Sequence, residues 1–260
     1  LVSFSRRGTA GYNYALSKLA LEGSCDGGPI FVSTRDKAEP IARLANVGES
    51  KLAVELEVRD ADGKLVHSAA ENLSEHSQKT VPLSHYLDAD SVGSYRAHCI
   101  GEGALLSEVT HYGRAKKKQI EWAYATQARG ILGSSQIAIA SSLKTAAQAR
   151  SGSETPQPDN RSAIVNAGPN PLAVKVTLFE GEGSEVGGVN TKLASNGSAA
   201  TSLYQQIGPD FKGLGVSISS DDGAQFSSEL LRIFPKRGGG VGYIVSVPST
   251  QKDGREVRAL

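Results

Sequence analysis

With 260 residues, of which 39% are apolar, 21% charged and 6% aromatic, the chain is long enough for two domains that each bury a core. Its formal net charge of +1 supplies no field to draw in nucleic acid or anionic lipid, because such steering needs a large excess of one sign. No run approaches the roughly 20 apolar residues that span a bilayer, and 29 glycines among many Val, Ser and Thr residues point to β structure.

The first element is a pair of short apolar runs about a basic turn: Phe4-Ser5-Arg6-Arg7 passes through Gly8-Thr9-Ala10-Gly11 into Tyr12-Asn13-Tyr14-Ala15-Leu16. The chain opens on Leu1 and contains no Met, as expected of a processed or trimmed product and compatible with a removed export signal. Cys25 follows. With Cys99 it permits one disulfide, or two buried thiols. Leu44-Ala45-Asn46 runs into the turn Val47-Gly48-Glu49-Ser50, and Leu52 to Val58 then alternates apolar with polar at period two, the pattern of a strand with one buried face. Asp60-Ala61-Asp62-Gly63 closes that strand with turn chemistry. Histidines 67, 76, 85, 98 and 111 are spaced by 9, 9, 13 and 13 residues, which matches no compact metal-ligand motif. They read as scattered side chains on a solvated face. A second basic turn, Arg114-Ala115-Lys116-Lys117-Lys118, joins Tyr112-Gly113 to Glu121-Trp122-Ala123-Tyr124 and is the expected junction between units 1–118 and 119–260.

Beyond it the first half recurs. At an offset of 120 residues Leu44-Ala45-Asn46 returns as Ile164-Val165-Asn166, Leu52 to Val58 as Leu172 to Leu178, and Asp62-Gly63 as Glu182-Gly183. Self-similarity at a fixed period marks a duplicated structural unit. Each copy carries about seven or eight strand-like runs with regular turn signals, so the expected fold is all-β, two tandem antiparallel β-sandwiches. Ile137 to Gln148 could add a turn or two of helix, and Ala149 to Ser162 reads as an expanded polar loop. A third basic turn, Phe234-Pro235-Lys236-Arg237, leads through Gly238-Gly239-Gly240 into Tyr243-Ile244-Val245. Three such segments against two copies of everything else put the unit boundaries out of phase with the chain ends, which suggests a cut from a longer array or strand sharing between units or chains.

The strand ending in Asn46, its turn, the Val-rich strand and the Asp-Gly corner, together with their second copy, resemble the immunoglobulin-like sandwich repeats of bacterial periplasmic and surface proteins. The resemblance implies an exported structural or adhesive module whose partner is another protein or a further copy, and it transfers no functional residue. The Cys, Trp, Cys arrangement of antibody domains is missing. Aromatic residues beside the basic turns, Tyr12 and Tyr14, then Arg114 and Lys116 with Trp122 and Tyr124, are the candidate ligand-binding residues, by ring stacking on a glycan and by charge. Gly-x-Ser-x-Gly, phosphate-cradling and His-Glu-x-x-His motifs are all missing from the sequence, so no catalytic residue, metal or cofactor is expected.

Overall fold

The computed structural model describes residues 2–4, 15–17, 25–26, 28–114, 120–127, 134–139, 159–180, 183–203, 215–220, 223–235 and 240–251. Among them the elements are antiparallel strands and two single-turn 3-10 helices. A hairpin of β1 (Val2–Phe4) and β2 (Ala15–Ser17) comes first and pairs with itself. The first unit follows: β3 (Ile30–Ser33), β4 (Ala38–Asn46), β5 (Leu52–Asp60), β6 (Leu65–Leu73), β7 (Gln78–Pro82), β8 (Val92–Cys99), β9 (Leu105–Arg114) and β10 (Ile120–Gln127). Its two sheets run β10-β9-β4-β7 and β3-β8-β5-β6.

The second unit repeats this plan with β11 (Ser135–Ile139), β12 (Asp159–Asn166), β13 (Leu172–Phe179), β14 (Glu185–Leu193), β15 (Ser198–Ser202), β16 (Gly215–Ser220), β17 (Phe226–Pro235), β18 (Val241–Pro248) and β19 (Thr250–Gln251). Its sheets run β18-β17-β12-β15 and β14-β13-β16-β11-β19. The duplication extends to register. Leu52 faces Leu73 as Leu172 faces Leu193, and the ladder slips just after Val58–His67 as it does after Leu178–Gly187. Asn46 and Asn166 end their strands in one way. Each Oδ1 accepts an N–H two residues on, at 3.0 and 2.9 Å, and each Nδ2 donates to the carbonyl four residues on, at 2.7 Å. These side chains satisfy turn groups that the ladder leaves unpaired.

Within each unit the period-two pattern does what it predicts. Leu52, Val54, Leu56 and Val58 join Ile30, Leu44, Tyr95 and Val109 in one core, and Leu172, Val174, Val176 and Leu178 join Ile164, Ile218, Phe226 and Leu230 in the other. A third core lies between the units. Phe31, Ala38, Val92, Trp122 and Tyr124 of the first pack on Ala163, Val165, Leu231, Ile233, Val241 and Ile244 of the second.

Three expectations change. The division at 118/119 falls between two paired strands, because β10 is hydrogen-bonded to β9 from Ile120–Arg114 to Gln127–Glu108, so the first unit runs on to Gln127. The end segments, expected to share strands, are paired with their sequence neighbours, β1 with β2 and β18 with β17. Ile137 to Ile139 lie in strand β11, while the remainder of the expected helix and most of the polar loop fall outside the described residues.

Candidate functional site

The candidate site is the seam between the units, where a buried cluster draws on both. It starts from Trp122, whose indole lies across the backbone of Gly113 on the neighbouring strand. A Cβ at Gly113 would stand 1.9 Å from Trp122 Cε2, so only glycine leaves room for the ring. Tyr124 stacks on His111 at a centroid distance of 4.4 Å and an interplanar angle of 2°. His111 is wholly buried. Its Nε2 accepts the Ser33 N–H at 3.2 Å, which leaves the proton on Nδ1, and that atom has no partner. Desolvation disfavours the charged ring and lowers its pKa to about 3.

The Asp60–Gly63 corner also belongs to the seam. Ala61 O accepts the Ser198 N–H at 2.9 Å, and a Cβ on Gly63, which sits at φ +80°, would come within 1.9 Å of Ser195 O. The reciprocal turn is as tight, since a Cβ on Gly197 would lie 2.8 Å from Ala61 O. Polar contacts close the other side: Arg35 donates to Ala200 O at 3.1 Å, and Arg161 bridges Asp36 at 2.8 Å and Asp159 at 2.9 Å. Burial pulls the Arg161 guanidinium down while the two carboxylates push it up further, so it stays charged.

Beside these contacts a cleft of about 190 Å³ opens between Glu57, Arg59, Ser94 and Arg96 of the first unit and Asn166, Ala167 and Asn196 of the second. Its charges are matched. Arg59 holds Glu57 at 2.9 Å, and Arg96 binds Asp26. Burial pushes the Asp26 carboxyl up, but the bonds from Arg96 and the Gly28 N–H outweigh it and hold it below the ordinary value. Among the described residues no three His, Cys, Asp or Glu side chains converge to hold a metal ion, and no helix is long and apolar enough to cross a membrane.

The residues singled out in the sequence separate. Trp122 and Tyr124 are 3% and 4% exposed, so neither offers an open ring face to a sugar, and their expected stacking role is replaced by packing in the seam. Arg114 is ion-paired with Glu39. Tyr12, Tyr14 and Lys116 lie outside the described residues. Cys25 and Cys99 are joined in a disulfide with Cα atoms 5.1 Å apart, tying the segment before β3 to the end of β8. In the second unit Ser220 stands in the place of Cys99, opposite Val174 as Cys99 is opposite Val54, and its N–H donates to Ser134 O at 2.9 Å as that of Cys99 does to Cys25 O at 2.8 Å. The histidines do not share a role: His76 and His98 meet Glu49 and Glu55, His67 stacks on Tyr86 at 3.7 Å, and His111 belongs to the interior rather than to a solvated face.

No protein family and no curated protein matches this sequence. Among solved structures the chain is similar to a β-glucuronidase of Bacteroides uniformis, at 10% identity and a TM-score of 0.21 over 86% of this chain and 26% of that one. It is similar also to a glycosyl hydrolase family 2 member from Bacteroides cellulosilyticus, at 7% and 0.18 over 86% and 28%. A Bifidobacterium dentium β-glucuronidase complexed with coumarin-3-O-glucuronide gives 12% and 0.19 over 86% and 38%. The chain thus spans well under half the length of each, and likenesses of this size say nothing of its activity. Its all-β class rests on its own sheets.

Proposed function

We propose that the chain is a non-enzymatic structural module of an exported assembly, a pair of immunoglobulin-like sandwiches joined into one body. The observation that carries this reading is the third core. Eleven buried residues drawn from both units fill a seam that, in a chain of independently moving domains, would be small and polar. A molecule built this way transmits position and load between its ends. The Cys25–Cys99 disulfide supports an oxidising location. A carbohydrate-binding role through aromatic strands loses its two described candidates, Trp122 and Tyr124, to the seam, so the structural reading is the one we carry.

The test joins location to activity. Antibody detection in fractionated source cells is expected to find the protein outside the cytoplasm, with the Cys25–Cys99 peptide intact under non-reducing mass spectrometry. A panel of chromogenic glycosides and esters is expected to stay unhydrolysed. Free thiols on a cytoplasmic protein would remove the export half of the proposal, and turnover abolished by Glu57→Gln would remove the non-enzymatic half.

A further inference from the structure

Three of the residues by which the first unit holds the second, Trp122, Tyr124 and Gly63, have described counterparts on the second unit, and there they are open. The hairpins β9–β10 and β17–β18 share one register: Trp122 opposite Gly113 corresponds to Tyr243 opposite Phe234, and Tyr124 opposite His111 to Val245 opposite Arg232. Trp122 and Tyr124 are buried. Tyr243 is 52% exposed and Val245 43%, with the Tyr243 ring stacked on Phe234 at 4.1 Å. The corner repeats as well. Gly63 is pressed against Ser195, whereas its counterpart Gly183, at φ +85°, has no atom within 4 Å of where a Cβ would stand. An aromatic pair, a valine and a bare glycine turn therefore lie open on one surface whose twin is filled, and grouped apolar exposure of this kind marks a contact surface.

We propose that this face of the second unit docks a further β-sandwich from another protein, in the arrangement by which the second unit docks on the first. The inference rests on the structural-module reading and gives that module its partner. The chemistry of the partner follows from what fills the seam: a sheet face of small and branched aliphatic side chains, as in Ala163, Val165, Leu231 and Ile233, beside a turn with glycine where Gly197 stands. The first unit of a second copy does not meet this description. It has Arg43 at the place of Ala163 and Ser77 at that of Gly197, and Thr110, at the place of Leu231, is already fully covered. A sugar stacked on Tyr243 would leave the Gly183 corner without a role. A contact of this head-to-tail kind joins unlike faces, so docking extends an array rather than making a two-fold dimer.

The second unit carries the fitting face, so a repeat of it serves as the probe. Residues 131–251 are repeated directly after Gln251, which reproduces the spacing between β10 and β11. Tyr243→Trp in the middle unit then reports on the surface through acrylamide quenching, Trp122 being a buried constant. Quenching of the middle indole is expected to fall several-fold on adding the third unit and to return when that unit carries Ala163→Arg. Equal quenching with and without the third unit overturns the proposal. So does loss of quenching in the two-unit chain alone as its concentration rises, which assigns the surface to a second copy, or on adding oligosaccharides, which assigns it to a glycan. Glycosidase turnover by the unmodified chain would remove the structural reading while leaving the docking result distinct.

Discussion

His111 shows how one buried side chain can set a pH limit. Neutral in the fold with a pKa of about 3 and near 6.5 when the chain unfolds, it is a group whose folded value is depressed. For a base this means that the unfolded state binds the extra proton first. The stability it permits is present above about pH 6.5 and is lost as pH falls toward 3, at up to about 1.4 kcal/mol per pH unit. Urea melts between pH 7 and 4 are expected to show this slope, and His111→Gln, which keeps an acceptor for the Ser33 N–H, is expected to remove it. An unchanged slope in the variant would assign the acid sensitivity to other groups. Gly113 makes a steric prediction on the neighbouring pair. Gly113→Ala puts a methyl into the space of the Trp122 indole, and overpacking of this sort costs about 1–3 kcal/mol. The expected signature is a lower midpoint with a red-shifted Trp122 emission. A loss of stability with emission unmoved would mean that the strand, not the ring, gives way.

The strands were legible wherever one face is buried and the other wet. Leu52 to Val58 and Leu172 to Leu178 alternate as the pleat requires, and the offset that relates them also relates the two asparagine-anchored turns. Asn46→Ala and Asn166→Ala each leave a turn N–H and at least two strand-end carbonyls without their shared partner. Each is therefore expected to cost about 2 kcal/mol in chemical denaturation; a large loss at one site and none at the other would mean that the equal geometry hides unequal solvation. What escaped the sequence reading has a physical cause. A basic stretch between two strand-like runs carries no mark of whether those runs pair with each other, so the expected boundary at 118/119 falls between β9 and β10, which the ladder joins. The seam did leave a trace. Ala163-Ile164-Val165 and Leu230-Leu231 break the alternation that Arg43-Leu44-Ala45 and Val109-Thr110 keep, and apolar residues on both faces of a strand are expected only when both are covered. Trp122 and Tyr124 carried no comparable mark, because a ring that stacks on a sugar and a ring that packs in a seam have one composition.

At the scale of the molecule, the third core decides how the two units unfold. Domains with separate cores and a wet interface melt separately, whereas a shared apolar seam makes the loss of one unit expose the buried face of the other. Burying a large side chain such as Trp122 contributes about 1.5–3 kcal/mol, and that stabilisation exists only while both units are folded. The intact chain is therefore expected to unfold in one transition, with Trp122 emission and far-ultraviolet circular dichroism changing together. Ala163→Arg places in the second unit the residue that the first carries at the same position, Arg43, whose guanidinium is accommodated there by Glu108 and Tyr112. A sandwich of this fold tolerates that side chain, but the seam, where position 163 is covered by Phe31 and its neighbours, does not. The variant is expected to split the melt in two, with Trp122 becoming exposed in the earlier step and the disulfide-linked first unit, which the exchange leaves intact, keeping its own later midpoint. A single transition at the original midpoint would mean that the units are held by their polar contacts, Arg161 with Asp36 and Arg35 with Ala200, and that the apolar seam only follows.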